Sequence, residues 1–280
     1  MKCRLFEAVI SICKRLGLWI ARRRRVSALA EGLCFLSRTL YRSCENENYD
    51  AKQNGELRVI EKLRDRNFDI LFDVGANIGE WTRDARRIFP HSDIYSFEVI
   101  PSTFDELESR ISVSQYVHLI NKGLSDQAGT LSFEVSQASS QLASGVSIVG
   151  TDATATIQCM VEKGDDFCVD SDIKAIQFLK LDVEGMEDKV LSGFREMLEK
   201  GAIDIIQFEY GMVNIASRFL LRDFYFFLEP YGYSIGKIYP HLVDFREYDY
   251  VHENFVGGNY LAVRKELNDI IQLLGYSEGT

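Results

Sequence analysis

Between residues 69 and 264 the chain alternates short apolar runs with amphipathic segments of helical period. Apolar or alternating runs predict strands at 69–74, 92–98, 116–121, 130–135, 155–162, 175–182, 203–209, 232–239 and 258–264. The intervening patterns predict helices at 79–89, from Pro101 onward, at 186–199 (ended by Gly201) and at 216–228. Strands that alternate with helices build an α/β, doubly wound, mostly parallel sheet with helices on both faces. Seven strands are expected in it. The last two have no helix between them, so one strand near the C-terminus should run antiparallel.

The flanks read differently. Over residues 2–20, Leu5, Val9, Ile12, Leu16, Trp19 and Ile20 fall on one helical face, and Arg4, Glu7, Ser11, Lys14 and Arg15 on the opposite one. Arg22-Arg23-Arg24-Arg25 and a second helical segment, 26–41, follow. Such an arm suits an anionic membrane surface, its own domain or a twin subunit in a homo-oligomer. The polar stretch 43–55 reads as a linker and 56–67 as a short charged helix. Residues 136–150, rich in Ser, Ala and Gly, read as a surface loop. The expected organisation is an arm and linker over 1–55, a catalytic-type α/β domain over 56–266 and a tail over 267–280.

Charge sharpens this division. The net charge is −10. Residues 1–44 carry ten Lys and Arg against two acids, so the remainder is strongly acidic. An acidic body lacks the Lys and Arg that a nucleic-acid face needs, and nucleic acid is not an expected partner. The six cysteines form no Cys-x-x-Cys pair, and reduced thiols in a reducing compartment are the expectation. No stretch offers the ~20 apolar residues of a membrane span. A cytoplasmic protein, peripheral at the membrane through residues 1–44, is the expectation.

The candidate chemistry lies at the strand ends, where ligands bind in such sheets. Gly75 and Gly79 space a turn between strand 69–74 and helix 79–89, and the first amides of that helix face the same space. Reading the edges in order gives Asp73, Glu98, Ser125 with Asp126, Asp182 with Glu184, and Glu209. Glu98 closes the second strand, where an acid takes both hydroxyls of a ribose. The ligand therefore carries a nucleoside. A pyrophosphate on helix amides disfavours nearby acids, whereas Asp73 beside the turn favours a cationic group such as a sulfonium or ammonium. An NAD-dependent oxidoreductase is the alternative, against which stand the missing third glycine and Asp73.

Taken as a set, several motifs carry a resemblance. They are Phe72-Asp73-Val74-Gly75-Ala76-Asn77-Ile78-Gly79, Phe97-Glu98, Gly123-Leu124-Ser125-Asp126, Lys180-Leu181-Asp182-Val183-Glu184-Gly185, Glu209 and Asn259-Tyr260-Leu261-Ala262. Segment 70–265, about 70% of the chain, resembles the FkbM family of S-adenosylmethionine-dependent O-methyltransferases, within the Rossmann-like class I methyltransferases. The resemblance implies that Asp73, Gly75, Asn77 and Gly79 cradle the methionine part of S-adenosylmethionine. It implies further that Glu98 takes the ribose and that Ser125 and Asp126 flank the adenine. It departs at Val99, where the family has Pro, and at Lys163-Gly164-Asp165, where it has Thr-Leu-Asp.

Methyl transfer needs alignment and a base for the acceptor hydroxyl. Asp182 is the candidate base or orienting group, also placed against the cofactor, with Glu184 assisting. Capping of the next helix is the competing role for Glu184. A Mg²⁺ ion on Asp182, Glu184 and Glu209 is a rival arrangement that the spacing does not force. His241 and His252 are secondary base candidates, and the aromatic loop 239–255 a candidate platform for a sugar, glycan or other small-molecule acceptor. A nucleic-acid methylase is disfavoured, because Asp182 is followed by Val-Glu-Gly rather than a Pro-Pro-aromatic turn. A membrane-associated, non-catalytic scaffold with the same fold remains the non-enzymatic alternative.

Overall fold

A computed structural model describes residues 2–25, 27–112, 114–136, 143–144 and 153–275. The chain divides into two units, Met1–Glu47 and Asn48–Thr280. In the first, α1 (Lys2–Arg23) and α2 (Ala28–Cys44) lie against one another. Ala30 is their one buried side chain among the described residues, while Ile12, Leu18, Leu29, Phe35 and Leu40 are exposed. No helix of the described residues is long and apolar enough to cross a membrane.

The second unit begins eight residues before the expected domain boundary. Segment 48–55, read as a linker, belongs to it, and Asn54 and Glu56 are buried. There follow α3 (Glu56–Lys62), β1 (Ile70–Val74), α4 (Glu80–Ile88), β2 (Asp93–Phe97), α5 (Pro101–Arg110) and β3 (Val117–Ile120). Next come β4 (Gly123–Ser125), β5 (Gly129–Ser136), β6 (Ala143–Ser144), β7 (Ala153–Lys163) and α6 (Gly164–Asp170). The chain then forms β8 (Ile176–Leu181), α7 (Glu187–Gly193), α8 (Arg195–Glu199) and β9 (Ile203–Glu209). It ends with α9 (Val213–Ser217), α10 (Leu221–Leu228), β10 (Tyr233–Ile238), β11 (Val243–Phe245), β12 (Asn259–Arg264) and α11 (Asn268–Gly275). Most of the loop expected at 136–150 lies outside the described residues.

The main sheet has the order β11-β10-β12-β9-β8-β1-β2-β3. Strands β9, β8, β1, β2 and β3 are parallel, and β12 runs antiparallel to both of its neighbours. This is the expected seven-stranded sheet with one reversed strand, extended by the short edge strand β11. Successive residues of each strand point to opposite faces. Leu71, Phe178, Ile205 and Leu261 thus join one core with α3, α4 and α11, whereas Phe72, Leu179, Phe208 and Ala262 join the other with α7, α8 and α10. Because α11 buries Ile270 and Leu274, most of the expected tail is part of the domain.

Two further departures have packing causes. The helix expected at 186–199 breaks at Phe194, whose ring dives into the core against Phe72 and fills the space a side chain at Gly164 would need. Strands β4, β7, β5 and β6 form a second sheet. It covers one end of the main sheet's carboxyl edge with Phe133, Cys159 and Val161.

Candidate active site

The chain runs outward from β1 to β2 and β3, then returns to β8 on the other side of β1. That reversal is the topological switch point where doubly wound sheets bind ligands. Gly75 ends β1 with φ of 85°, and a Cβ there would overlap the carbonyl oxygen of Asp182 at the end of β8. The two strand ends therefore close on each other only with glycine. Asn77 (φ 49°) and Glu184 (φ 51°) also take left-handed backbone, which costs a non-glycine residue energy and clusters at functional sites.

Two cavities meet there. The first is lined by Gly75, Asn77, Glu98, Val99, Leu124 and Phe133 among others, and the second, of about 560 Å³, by Tyr49, Glu56, Trp81, Lys180 and Glu209 among others. Gly75, Asn77, Asp182 and Glu184 line both. Segment 48–56 is thus a wall of the second cavity. Glu56 anchors it by accepting hydrogen bonds from the side-chain amides of Asn54 and of Gln207 on β9 (2.7 Å for Gln207).

Glu98 lies just past the end of β2, in the wall of the first cavity. It is 6% exposed, and its two carboxylate oxygens accept from the backbone N–H groups of Asn77 (3.0 Å) and Ile100 (2.8 Å). Burial raises its pKa, and those amides pull it back. The amides fix the carboxyl's orientation in the cavity wall.

Asp73 is placed differently from the expectation. Its carboxyl is fully buried, lines neither cavity, and accepts from the Thr82 hydroxyl on α4 (2.7 Å). Its other neighbour is Lys180, at 3.7 Å. Alternation along β1 causes this: the side chain points into the layer under α4 rather than out of the edge. Ser125 and Asp126 also stand outside both linings. The backbone of Ser125 is packed against Gly193, and Asp126 faces Lys189 at 3.3 Å, leaving Leu124 as that strand's contribution to the first cavity.

Lys180, given no role from the sequence alone, belongs to the same edge. It is 5% exposed, donates to Asp182 at 2.8 Å and lies at the second cavity. Burial alone would lower its pKa, but Asp182, Asp73 and Glu56 together raise it. The nearby carboxyls show the complementary effect. Burial, reinforced by Asp182, pushes Glu184 up to about 7, against the pull of Lys180. Glu209 is raised well above its ordinary value by burial and then by Asp182 and Glu184. Glu187 turns back and accepts from the amides of Val183 and Gly185 in the turn between β8 and α7.

Neither His241 nor His252 lines either cavity. Loop 239–255 is pinned elsewhere, with Glu253 accepting from the hydroxyls of Tyr210 (2.6 Å) and Tyr248 (3.1 Å). Among the described residues no group of three His, Cys, Asp or Glu side chains is arranged to hold a metal, so the Mg²⁺ arrangement is set aside.

A parallel sheet with a glycine turn at its switch point and a carboxylate at the end of β2 defines a Rossmann-like, nucleoside-binding domain. Residues 73–235 match the Methyltransferase FkbM domain, and the chain belongs to the FkbM methyltransferase family. It is similar to the hexuronic acid methyltransferase AglP of Haloferax volcanii, with 30% identity over 73% of this chain and 84% of that protein. It is also similar to the 2-O-methyltransferase NoeI of Sinorhizobium fredii, with 21% identity over 66% of this chain and 75% of that protein. Among solved structures, the FkbM methyltransferase of Methylobacillus flagellatus is 16% identical, with a TM-score of 0.45 over 70% of this chain and 43% of that one. Membership makes the chain a methyltransferase and sets the oxidoreductase and scaffold alternatives aside. The family's cofactor is S-adenosylmethionine. The first cavity is lined by Glu98 and by Asn77, whose Oδ1 is buried without a hydrogen-bond partner.

Two outcomes test this construction. Glu98→Ala should weaken S-adenosylmethionine binding by about 10- to 100-fold in calorimetry, the worth of charge-assisted hydrogen bonds. Lys180→Met should lower the unfolding free energy in urea by about 3–5 kcal/mol, because it strands buried carboxylates.

Proposed function

We propose that this methyltransferase transfers the methyl group of S-adenosylmethionine to a hydroxyl of a sugar, glycan or similar small molecule. The observation that carries the reading is the position of Asp182 and Glu184 at the junction of the two cavities. The relatives, one named for hexuronic acid and one for 2-O-methylation, support a sugar as the acceptor class.

When bound, the cofactor supplies an electrophilic methyl on a sulfonium. The protein has to orient a neutral hydroxyl and remove its proton as the new O–C bond forms, the S–C bond breaks and S-adenosylhomocysteine leaves as a neutral thioether. Asp182, held by Lys180, orients the hydroxyl by accepting its hydrogen bond. Glu184 takes the proton, since a carboxyl pushed up to about 7 is better matched to that work than an ordinary one. Glu98 holds the ribose, and Gly75 and Asn77, which line the first cavity, let the cofactor approach the main chain, whereas Gly79, expected beside them, lines neither cavity and packs against Leu107 and Ile111.

Calorimetry with S-adenosylmethionine and S-adenosylhomocysteine, followed by radiolabelled methyl transfer into cell-extract carbohydrate, tests the reading. The absence of binding at millimolar cofactor would sink it. In the base role Glu184 must be ionised, so kcat/KM should rise with pH through about 7 and then level. Glu184→Gln should lower the plateau roughly 100- to 10,000-fold and remove that inflection.

The N-terminal unit adds a location to this activity. Its exposed Ile12, Leu16, Leu29, Phe35 and Leu40, beside the excess of Arg and Lys, suit the surface of an anionic bilayer. The full chain should co-sediment with phosphatidylglycerol vesicles and not with phosphatidylcholine vesicles. Each arginine near such a surface is worth about 1 kcal/mol, so replacing Arg22–Arg25 by Gln should weaken binding at least tenfold. Equal sedimentation with both lipids would refute the electrostatic part.

A further inference from the structure

The second cavity has a wall chemistry that the proposed activity does not by itself require. It meets the first at Asp182 and Glu184, so whatever fills it faces the transferable group. Its inner lining holds Glu56, Glu184 and Glu209 against one cation, Lys180. That cation is already matched, donating to Asp182 at 2.8 Å with Asp73 at 3.7 Å on its other side. The other cations in the lining, Lys52 and Arg83, are exposed to solvent, where their field is weak.

Three further features point to an uncharged, hydroxyl-bearing occupant. Trp81 lines this cavity, and its indole N–H is buried without a hydrogen-bond partner, a donor that a small shift of the ring would offer to a polar group. The carboxyl of Glu209 has no hydrogen bond among the described residues. Tyr49 and Trp81 supply aromatic surface for the apolar face of a sugar ring.

We propose that this cavity is the acceptor site and that it selects a sugar ring without negative charge, neutral or ammonium-bearing, over a hexuronate. The proposal rests on the methyltransferase reading above. A carboxylate entering the cavity would lose water, meet three carboxyl groups and find no unmatched cation inside. A hydroxyl can donate to an ionised carboxylate or accept from a protonated one, so it is satisfied in either state. An ammonium gains from the same acids. This separates the chain from its relative named for hexuronic acid, whose identity with it is only 30%.

The test uses the full chain, radiolabelled S-adenosylmethionine and three probes: the 4-nitrophenyl glycosides of a neutral hexose, a 2-amino-2-deoxyhexose and a hexuronic acid. Cofactor binding is measured in parallel by calorimetry. The expected result is a kcat/KM for the neutral or amino sugar at least about tenfold above that for the uronate, with Glu209→Gln narrowing the ratio. A uronate used as well as or better than the others would overturn the charge selection while leaving the methyltransferase reading intact. Label in none of the three while the cofactor still binds would overturn the assignment of the cavity to sugars. Failure of the cofactor to bind would take both readings down together.

Discussion

A lysine ammonium buried in a sheet of apolar strands is costly unless its charge is matched on every side. Lys180 is such a group, and its partners come from three parts of the chain. Asp182 lies two residues on, on the same face of β8. Asp73 is its register partner on β1. Glu56 opens α3 and is held in turn by Gln207 on β9. One cation thereby ties two central strands and the segment that walls the second cavity. It also specifies register, since a slip of one residue between β1 and β8 would turn Lys180 toward the aromatic layer of Phe72 and Phe194.

The site inherits its electrostatics from this tie. With the lysine committed to Asp182 and Asp73, burial raises the pKa values of Glu184 and Glu209, and the neighbouring Asp182 adds to the rise. A carboxyl near neutrality at the meeting point of two cavities follows from the packing of strand ends rather than from any one residue's chemistry. The backbone contributes as well. The left-handed turn at Glu184-Gly185 aims the carboxyl across the edge, and Glu187 satisfies the amides that this turn exposes.

Much of this was legible in the sequence. Period-two and helical patterns gave the order of strands and helices, and the missing helix before the last strand gave its reversal. Glu98 could be located because an acid just past the second strand of such a fold lies at its carboxyl edge. What was hidden depended on direction or on long-range pairing. The spacing around Asp73 marks a turn but not which side of β1 the carboxyl takes, and α4 supplies Thr82 to receive it. Glu56 looks like a solvent-facing residue of a charged helix because its partner, Gln207, lies 151 residues away. Lys180 reads as the polar end of an apolar run, and nothing local shows that three acids converge on it. Phe133 reaches the cofactor cavity only because β5 folds into a second sheet.

The reassignment of Asp73 alters the argument about ligand charge without reversing it. The acid before the glycine turn lines neither cavity, although its charge still reaches Glu98 in the wall of the first. It also helps keep Lys180 charged and in place, and Lys180 holds Asp182 at the junction. The direct field belongs to Asp182, Glu184 and Glu98, which do line the first cavity. A positively charged sulfonium placed there would be met by acids from the ends of β8 and β2. The same three acids would repel a pyrophosphate, so one electrostatic arrangement favours the family's cofactor and disfavours a dinucleotide.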